Sequence, residues 1–169
     1  MVIIGLLLVP CALACTQGLS YVLNQEGGVT FIDWESKETK YGVNVGAKCP
    51  RGIGITANGK WLVTANKDDG NISVIDTSSV ANPKFIAIGK NPEFVRVLGD
   101  RAYITYEPSS KGGPPPKSGA AAGKANEDEA KILGRIAIVD LKKGKVIKEI
   151  IGKPETEGVE FSKDGKKLI

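Results

Sequence analysis

The chain has 169 residues and no histidine, so any chemistry it carries must come from other side chains. That removes Ser-His-Asp and Cys-His nucleophile pairs, His-ligated zinc, copper or haem iron, and imidazole general bases. The residues that could do chemistry are charged groups at recurring turns and on the strands that follow them. Arg51, Glu93 and Glu157 sit in such turns, and Arg96 and Glu160 lie just beyond. Gathered at one mouth, these guanidinium and carboxylate groups would suit a small polar or anionic ligand. The same groups could instead pair with one another and fix the geometry of the elements that carry them. Asp33, Asp76 and Asp140 recur at equivalent strand ends, and that repetition favours turn capping over catalysis. No metal site, catalytic residue or bound cofactor is expected from these residues.

Cysteine chemistry is limited too. There is no C-x-x-C and no C-x-x-C-H, so neither a dithiol redox motif nor covalent c-type haem attachment is present. Cys49 reads as an incidental loop thiol. The formal charge of +4, from 23 Lys+Arg and 19 Asp+Glu, has no concentrated basic block behind it, and nucleic acid is not an expected partner.

Residues 1–14, MVIIGLLLVPCALA, are uncharged, almost wholly apolar and end in the small-x-small triplet Ala12-Leu13-Ala14. The run is shorter than the ~20 residues of a spanning helix and is broken by Pro10, which points to a secretory signal peptide and an exported protein. Cys15 directly follows, so acylation of Cys15 is the second reading of the same segment, and a lipid anchor would then be the only tie to a membrane. The expected address is periplasmic or extracellular.

The elements that position the charged groups come from a repeat. Asp33 to Asp76 is 43 residues, Pro50 to Pro92 is 42, and Asp76 to Asp140 is 64. The surplus in the last interval matches residues 107–131, EPSSKGGPPPKSGAAAGKANEDEAK, a low-complexity insertion without apolar periodicity, expected to be a solvated linker. Within each unit, short period-two runs such as Ile53/Ile55, Trp61/Val63 and Ile72/Val74 are separated by turn signals. Asn58-Gly59 and Asp164-Gly165 are dipeptides that type I′ hairpin turns favour. Both faces of these strands carry apolar residues, so the sheets must be covered on both sides. A period of ~40–45 residues with four short strands predicts an all-β chain, a β-propeller of four-stranded antiparallel blades.

The units resemble the YVTN-type β-propeller repeat, a family grouped with the propeller domain of cytochrome cd1-type nitrite reductases. The motifs are Tyr21-Val-Leu-Asn24, Val29-Thr-Phe-Ile-Asp33, Gly46-Ala-Lys-Cys-Pro-Arg-Gly52 and Asn58-Gly-Lys-Trp-Leu62, with a second copy in Thr64-Ala-Asn66 and Ile72-Ser-Val-Ile-Asp76. The expected layout is three outer strands of one blade (21–46), a whole blade (50–88), a blade carrying the insertion (92–151), and the first strand or two of another (156–169). About three blades are fewer than the ~4–8 that close a ring, so residues 20–169 are expected to be part of a longer propeller, and the resemblance implies seven blades. Ring completion by oligomerisation is the rival. The face carrying Arg51, Glu93, Arg96, Glu157 and Glu160 is expected to bind a protein partner or a small polar or anionic ligand. The primary functional expectation is therefore an exported, non-catalytic binding or scaffold propeller. The resemblance also implies three alternatives: a lactonase-like hydrolase using Glu and Arg, a haem d1-like redox propeller, and association with pyrroloquinoline-quinone-dependent oxidation.

Overall fold

The computed structural model describes residues 18–79, 82–107, 133–154 and 156–169. The expected signal segment 1–14, Cys15 and all of the 107–131 insertion except Glu107 lie outside the described residues. β-branched and aromatic residues alternate along the described chain, and the result is antiparallel sheet throughout. Blade 1 has β1 (Leu19–Asn24), β2 (Gly28–Asp33) and β3 (Thr39–Asn44). Blade 2 has β4 (Pro50–Ile55), β5 (Trp61–Asn66), β6 (Asn71–Asp76) and β7 (Lys84–Ala87). Blade 3 has β8 (Pro92–Leu98), β9 (Arg101–Tyr106), β10 (Arg135–Asp140) and β11 (Lys145–Ile151). In each sheet the strands pair in chain order. Residues 156–169, expected to hold the first strand or two of another blade, form a small hairpin with a bridge from Phe161 to Leu168.

Blade 2 is apolar on both faces, and this organises the molecule. On one face Leu62 and Ile75 join Val29, Phe31, Val43 and Val45 in a core between blades 1 and 2. On the other, Val63, Ala65, Ile72 and Val74 join Val95, Ala102, Ile104, Ala137 and Val139 in a core between blades 2 and 3. Each fully buried Leu or Ile contributes about 1.5–3 kcal/mol by leaving water, so the blades are held face to face by burial. The inner strands β4 and β8 approach closely. A Cβ on Gly52 would lie 2.6 Å from the Glu93 carbonyl oxygen, and one on Gly54 would lie 2.9 Å from Val95 Cγ1. Glycine lets the two inner strands touch.

The turns correct one expectation. Gly59 has φ +70° and Gly165 φ +68°, but Asn58 and Asp164 are not in the left-handed region, so neither turn is type I′. The Gly59 N–H instead donates to the Thr56 carbonyl at 2.7 Å, and the Thr56 hydroxyl donates to Asn58 Oδ1 at 2.7 Å while accepting from the Trp61 N–H at 2.9 Å. Gly165, Ser162, Asp164 and Lys167 repeat the pattern: Gly165 N–H to the Ser162 carbonyl at 2.7 Å, Ser162 hydroxyl to Asp164 Oδ1 at 2.6 Å, and Lys167 N–H to Ser162 Oγ at 2.9 Å. A hydroxyl two residues before the Asn or Asp captures its side chain and widens the turn to four residues.

Candidate functional site

The inner strands β4 and β8 begin with the same irregularity. In β4, Pro50 faces Asn66 and Gly52 faces Ala65, which leaves Arg51 as the extra residue of a bulge. In β8, Pro92 faces Tyr106 and Phe94 faces Thr105, which leaves Glu93 as the extra residue. A bulge re-aims the side chain of its unpaired residue. Both bulged side chains are therefore presented at the mouth where the blade-to-blade connections and the β5–β6 turn gather.

There they meet. Arg51 Nη1 donates to Glu93 Oε1 at 2.9 Å, and Lys67 Nζ donates to the same oxygen at 3.0 Å. Lys67 belongs to the β5–β6 turn and was not singled out by the sequence, because one Lys in a polar turn has no distinguishing signal. One step further along the inner strands, Arg96 Nε donates to Glu160 Oε2 at 3.0 Å, and the Arg96 guanidinium lies 4.7 Å from the Phe94 ring centroid. Glu160 also accepts the Phe161 N–H at 2.9 Å. That hydrogen bond and Arg96 hold its carboxyl below the usual range, so Glu160 is ionised at neutral pH and suited to charge pairing more than to proton donation. Glu157 is exposed and stands apart: its backbone carbonyl accepts from the Thr105 hydroxyl at 2.8 Å, but its carboxylate joins no ion pair among the described residues. A cleft of about 310 Å³ opens beside Phe94, Arg96, Val159 and Glu160.

A second layer sits behind the mouth. Asn66 is fully buried; it accepts from the Thr64 hydroxyl at 2.9 Å and donates to Asn71 Oδ1 at 2.7 Å and Ser73 Oγ at 2.8 Å. The Ser73 hydroxyl passes the chain on to the Val45 carbonyl of blade 1 at 3.0 Å. In blade 3 the matching residue is Tyr106, whose hydroxyl donates to Glu149 Oε1 at 2.6 Å, while Arg135 Nη1 holds the other oxygen at 3.2 Å. Burial and the Glu149 carboxylate push Tyr106 up to about 12. Tyr106 and Arg135 flank the insertion, so this trio ties together the two strand ends from which it leaves.

The recurring aspartates act at the opposite ends of the strands. Asp33 accepts the Ser36 and Glu35 N–H groups at 2.8 and 3.0 Å, Asp76 accepts the Ser78 N–H at 2.9 Å, and Asp140 accepts the Lys143 N–H at 2.9 Å. They cap turns. Cys49 is a free thiol in the loop before β4, and its backbone is left-handed at φ +48°.

No family model matches the chain, and no curated protein matches it. Among solved structures it is similar to Kuenenia stuttgartiensis hydrazine synthase, with TM-score 0.66 and 23% identity over 88% of this chain and 37% of that one. It is also similar to the dihydro-heme d1 dehydrogenase NirN in complex with DHE, with TM-score 0.53 and 19% identity over 86% of this chain and 28% of that one. The chain thus spans well under half the length of either. At these identities the likeness is one of fold: the stacked three- and four-stranded sheets are blades of a β-propeller.

Proposed function

We propose that the chain is part of an exported, non-catalytic β-propeller of the YVTN type that binds a small polar or anionic ligand, or a protein presenting one, at its axial mouth. The observation that carries this reading is the bulge-presented pair Arg51–Glu93, joined by Lys67 and continued by Arg96–Glu160. Groups engaged across successive blades hold a fixed charge pattern at the mouth and are poorly placed to shuttle protons. The motifs around Asn24, Asp33 and Asn66 support the repeat type, and the apolar segment 1–14 supports export.

The second reading, a propeller of a redox system, is favoured by the solved neighbours, a hydrazine synthase and a dihydro-heme d1 dehydrogenase. This chain's own residues offer a haem iron no histidine, and the single methionine is Met1. Purified full-length protein separates the readings. The expected preparation is colourless, hydrolyses no lactone, and melts at a higher temperature with added citrate, a gain that Arg51→Gln with Arg96→Gln removes. A visible haem band, or lactone hydrolysis abolished by Glu157→Gln, would overturn the binding role.

A further inference from the structure

We propose that the end of the molecule opposite the axial mouth, around Leu98, is a docking surface for an acidic segment of a partner protein. Three turns meet there: 98–101 and 140–144 of blade 3, and the 162–167 hairpin, whose Gly165 brings its Cβ position within 3.5 Å of Leu98. Leu98 is 40% exposed, an apolar side chain at the centre of otherwise polar turns.

The charges around it are unbalanced in one direction. At the mouth, Arg51, Lys67 and Arg135 each engage a glutamate. At this end the aspartates are already engaged: Asp100 by Lys142 at 2.6 Å, Asp140 by Lys143 at 3.7 Å, and Asp164 by the Ser162 hydroxyl and the Lys166 N–H. Arg101, Lys163, Lys166 and Lys167 are exposed and form no ion pair among the described residues. Three of these cations share the 162–167 hairpin, and its packing against Leu98, the cross-strand partner of Arg101, brings them to one rim with Arg101. A cleft of about 550 Å³ opens beside Leu98, lined by Arg101 and Lys142 together with Asp100 and Asp140, and the hairpin lysines lie outside it. That concavity favours a protein segment over a bilayer. An acidic peptide can set one apolar residue on Leu98 in the cleft and its carboxylates on the cations outside it, whereas a flat bilayer cannot reach into the concavity.

The test uses a fluorescein-labelled peptide of Glu and Asp with a central Leu-Phe pair, titrated with the chain and read by anisotropy at low and physiological salt. Lys166→Glu with Lys167→Glu is expected to weaken binding about tenfold, and Leu98→Ser severalfold. The same charge change at the mouth, Lys48→Glu with Lys153→Glu, is expected to alter it less than about twofold, since those exposed charges lie beyond a screening length. Lys166→Gln with Lys167→Gln, which adds no repulsion, should fall between. Equal losses from the two charge-reversed doubles would reduce the effect to net charge and overturn the proposal. So would absence of peptide binding alongside capture of the chain on phosphatidylglycerol vesicles.

Discussion

Asp33, Asp76 and Asp140 show what recurrence means for a single side chain. Each sits where a strand turns back, and each carboxylate collects backbone N–H groups that the turn leaves without a partner. Those donors favour the charged form and hold all three carboxyls below the ordinary aspartate range, the Ser36 N–H leading for Asp33, the Ser78 hydroxyl for Asp76 and the Lys143 N–H for Asp140. A depressed folded pKa contributes stability above the unfolded value near 3.9 and loses it as pH falls through the folded value. Thermal melts should therefore separate wild type from Asp33→Asn at pH 7 and bring the two together as the pH drops below the ordinary aspartate range and protonates the carboxyl. A difference that persists into strong acid would mean that the carboxylate charge contributes nothing. This role was legible in the sequence because the same residue returned at the same place three times. The backbone at Cys49 was not, since a lone thiol in a loop says nothing about φ. Its equivalent, Asn91, also lies in the left-handed region, at φ +50°, and directly precedes Pro92 as Cys49 precedes Pro50. Asparagine tolerates that conformation better than cysteine, so Cys49→Asn should raise the urea midpoint, by roughly 0.5 kcal/mol of stability.

At the scale of strands and turns, the inner strands are defined by what they lack. Gly52 has backbone of β8 on the far side of its missing Cβ, with the Glu93 oxygen at 2.6 Å and the Phe94 Cα at 2.9 Å. Neither neighbour is a flexible side-chain end, so Gly52→Ala must push β4 away from β8 and should cost about 2–3 kcal/mol. Gly59→Ala, with nothing within 4 Å but φ +70°, should cost only about 1 kcal/mol, and paired denaturant titrations make the comparison. The shift at Gly52 would also part Arg51 from Glu93. Tyr106 supplies a different kind of anchor on β9. Its raised pKa, about 12 against an ordinary 10.0, means the neutral phenol is favoured by the fold, so stability is intact below pH 10 and is lost as pH rises toward 12. Tyr106→Phe should cost about 1 kcal/mol at pH 7 and flatten that alkaline decline, read from melts between neutral and strongly basic pH. Alternation of apolar residues made the strands readable. The bulge at Arg51 was hidden because a one-residue slip inside Pro-Arg-Gly-Ile-Gly-Ile leaves no mark when two of the six residues are glycine. The Asn-Gly and Asp-Gly turns were misread for a related reason: the deciding group is a hydroxyl two residues upstream, outside the dipeptide.

For the whole molecule, the period of about 42 residues told the order of the blades, and the insertion concealed it only until its composition was subtracted. Pairings between repeats were beyond the period's reach, because Arg51 and Glu93, or Arg96 and Glu160, are distant in sequence and adjacent only once blades stack. The collection of Lys163, Lys166 and Lys167 with Arg101 at one rim escaped notice on the same ground. Stacking has an energetic consequence as well. Blade 2 shares one core with blade 1 and a separate core with blade 3, and each repeat is stabilised chiefly by its immediate neighbours. Leu62 and Ile104 are both fully buried, Leu62 in the first core and Ile104 in the second. Truncating either to alanine should cost about 2–5 kcal/mol, but the damage should fall in different places. In Leu62→Ala, amide exchange should accelerate in β1, β2 and β3 while β9 and β10 keep their protection. In Ile104→Ala, the losses should centre on β8, β9 and β10 and leave Phe31 and its neighbours protected by the intact first core. If both variants instead released every blade to the same extent, the molecule would unfold as one cooperative unit. The inner-strand contact between β4 and β8, with its Arg–Glu pair, would then be the coupling to examine first.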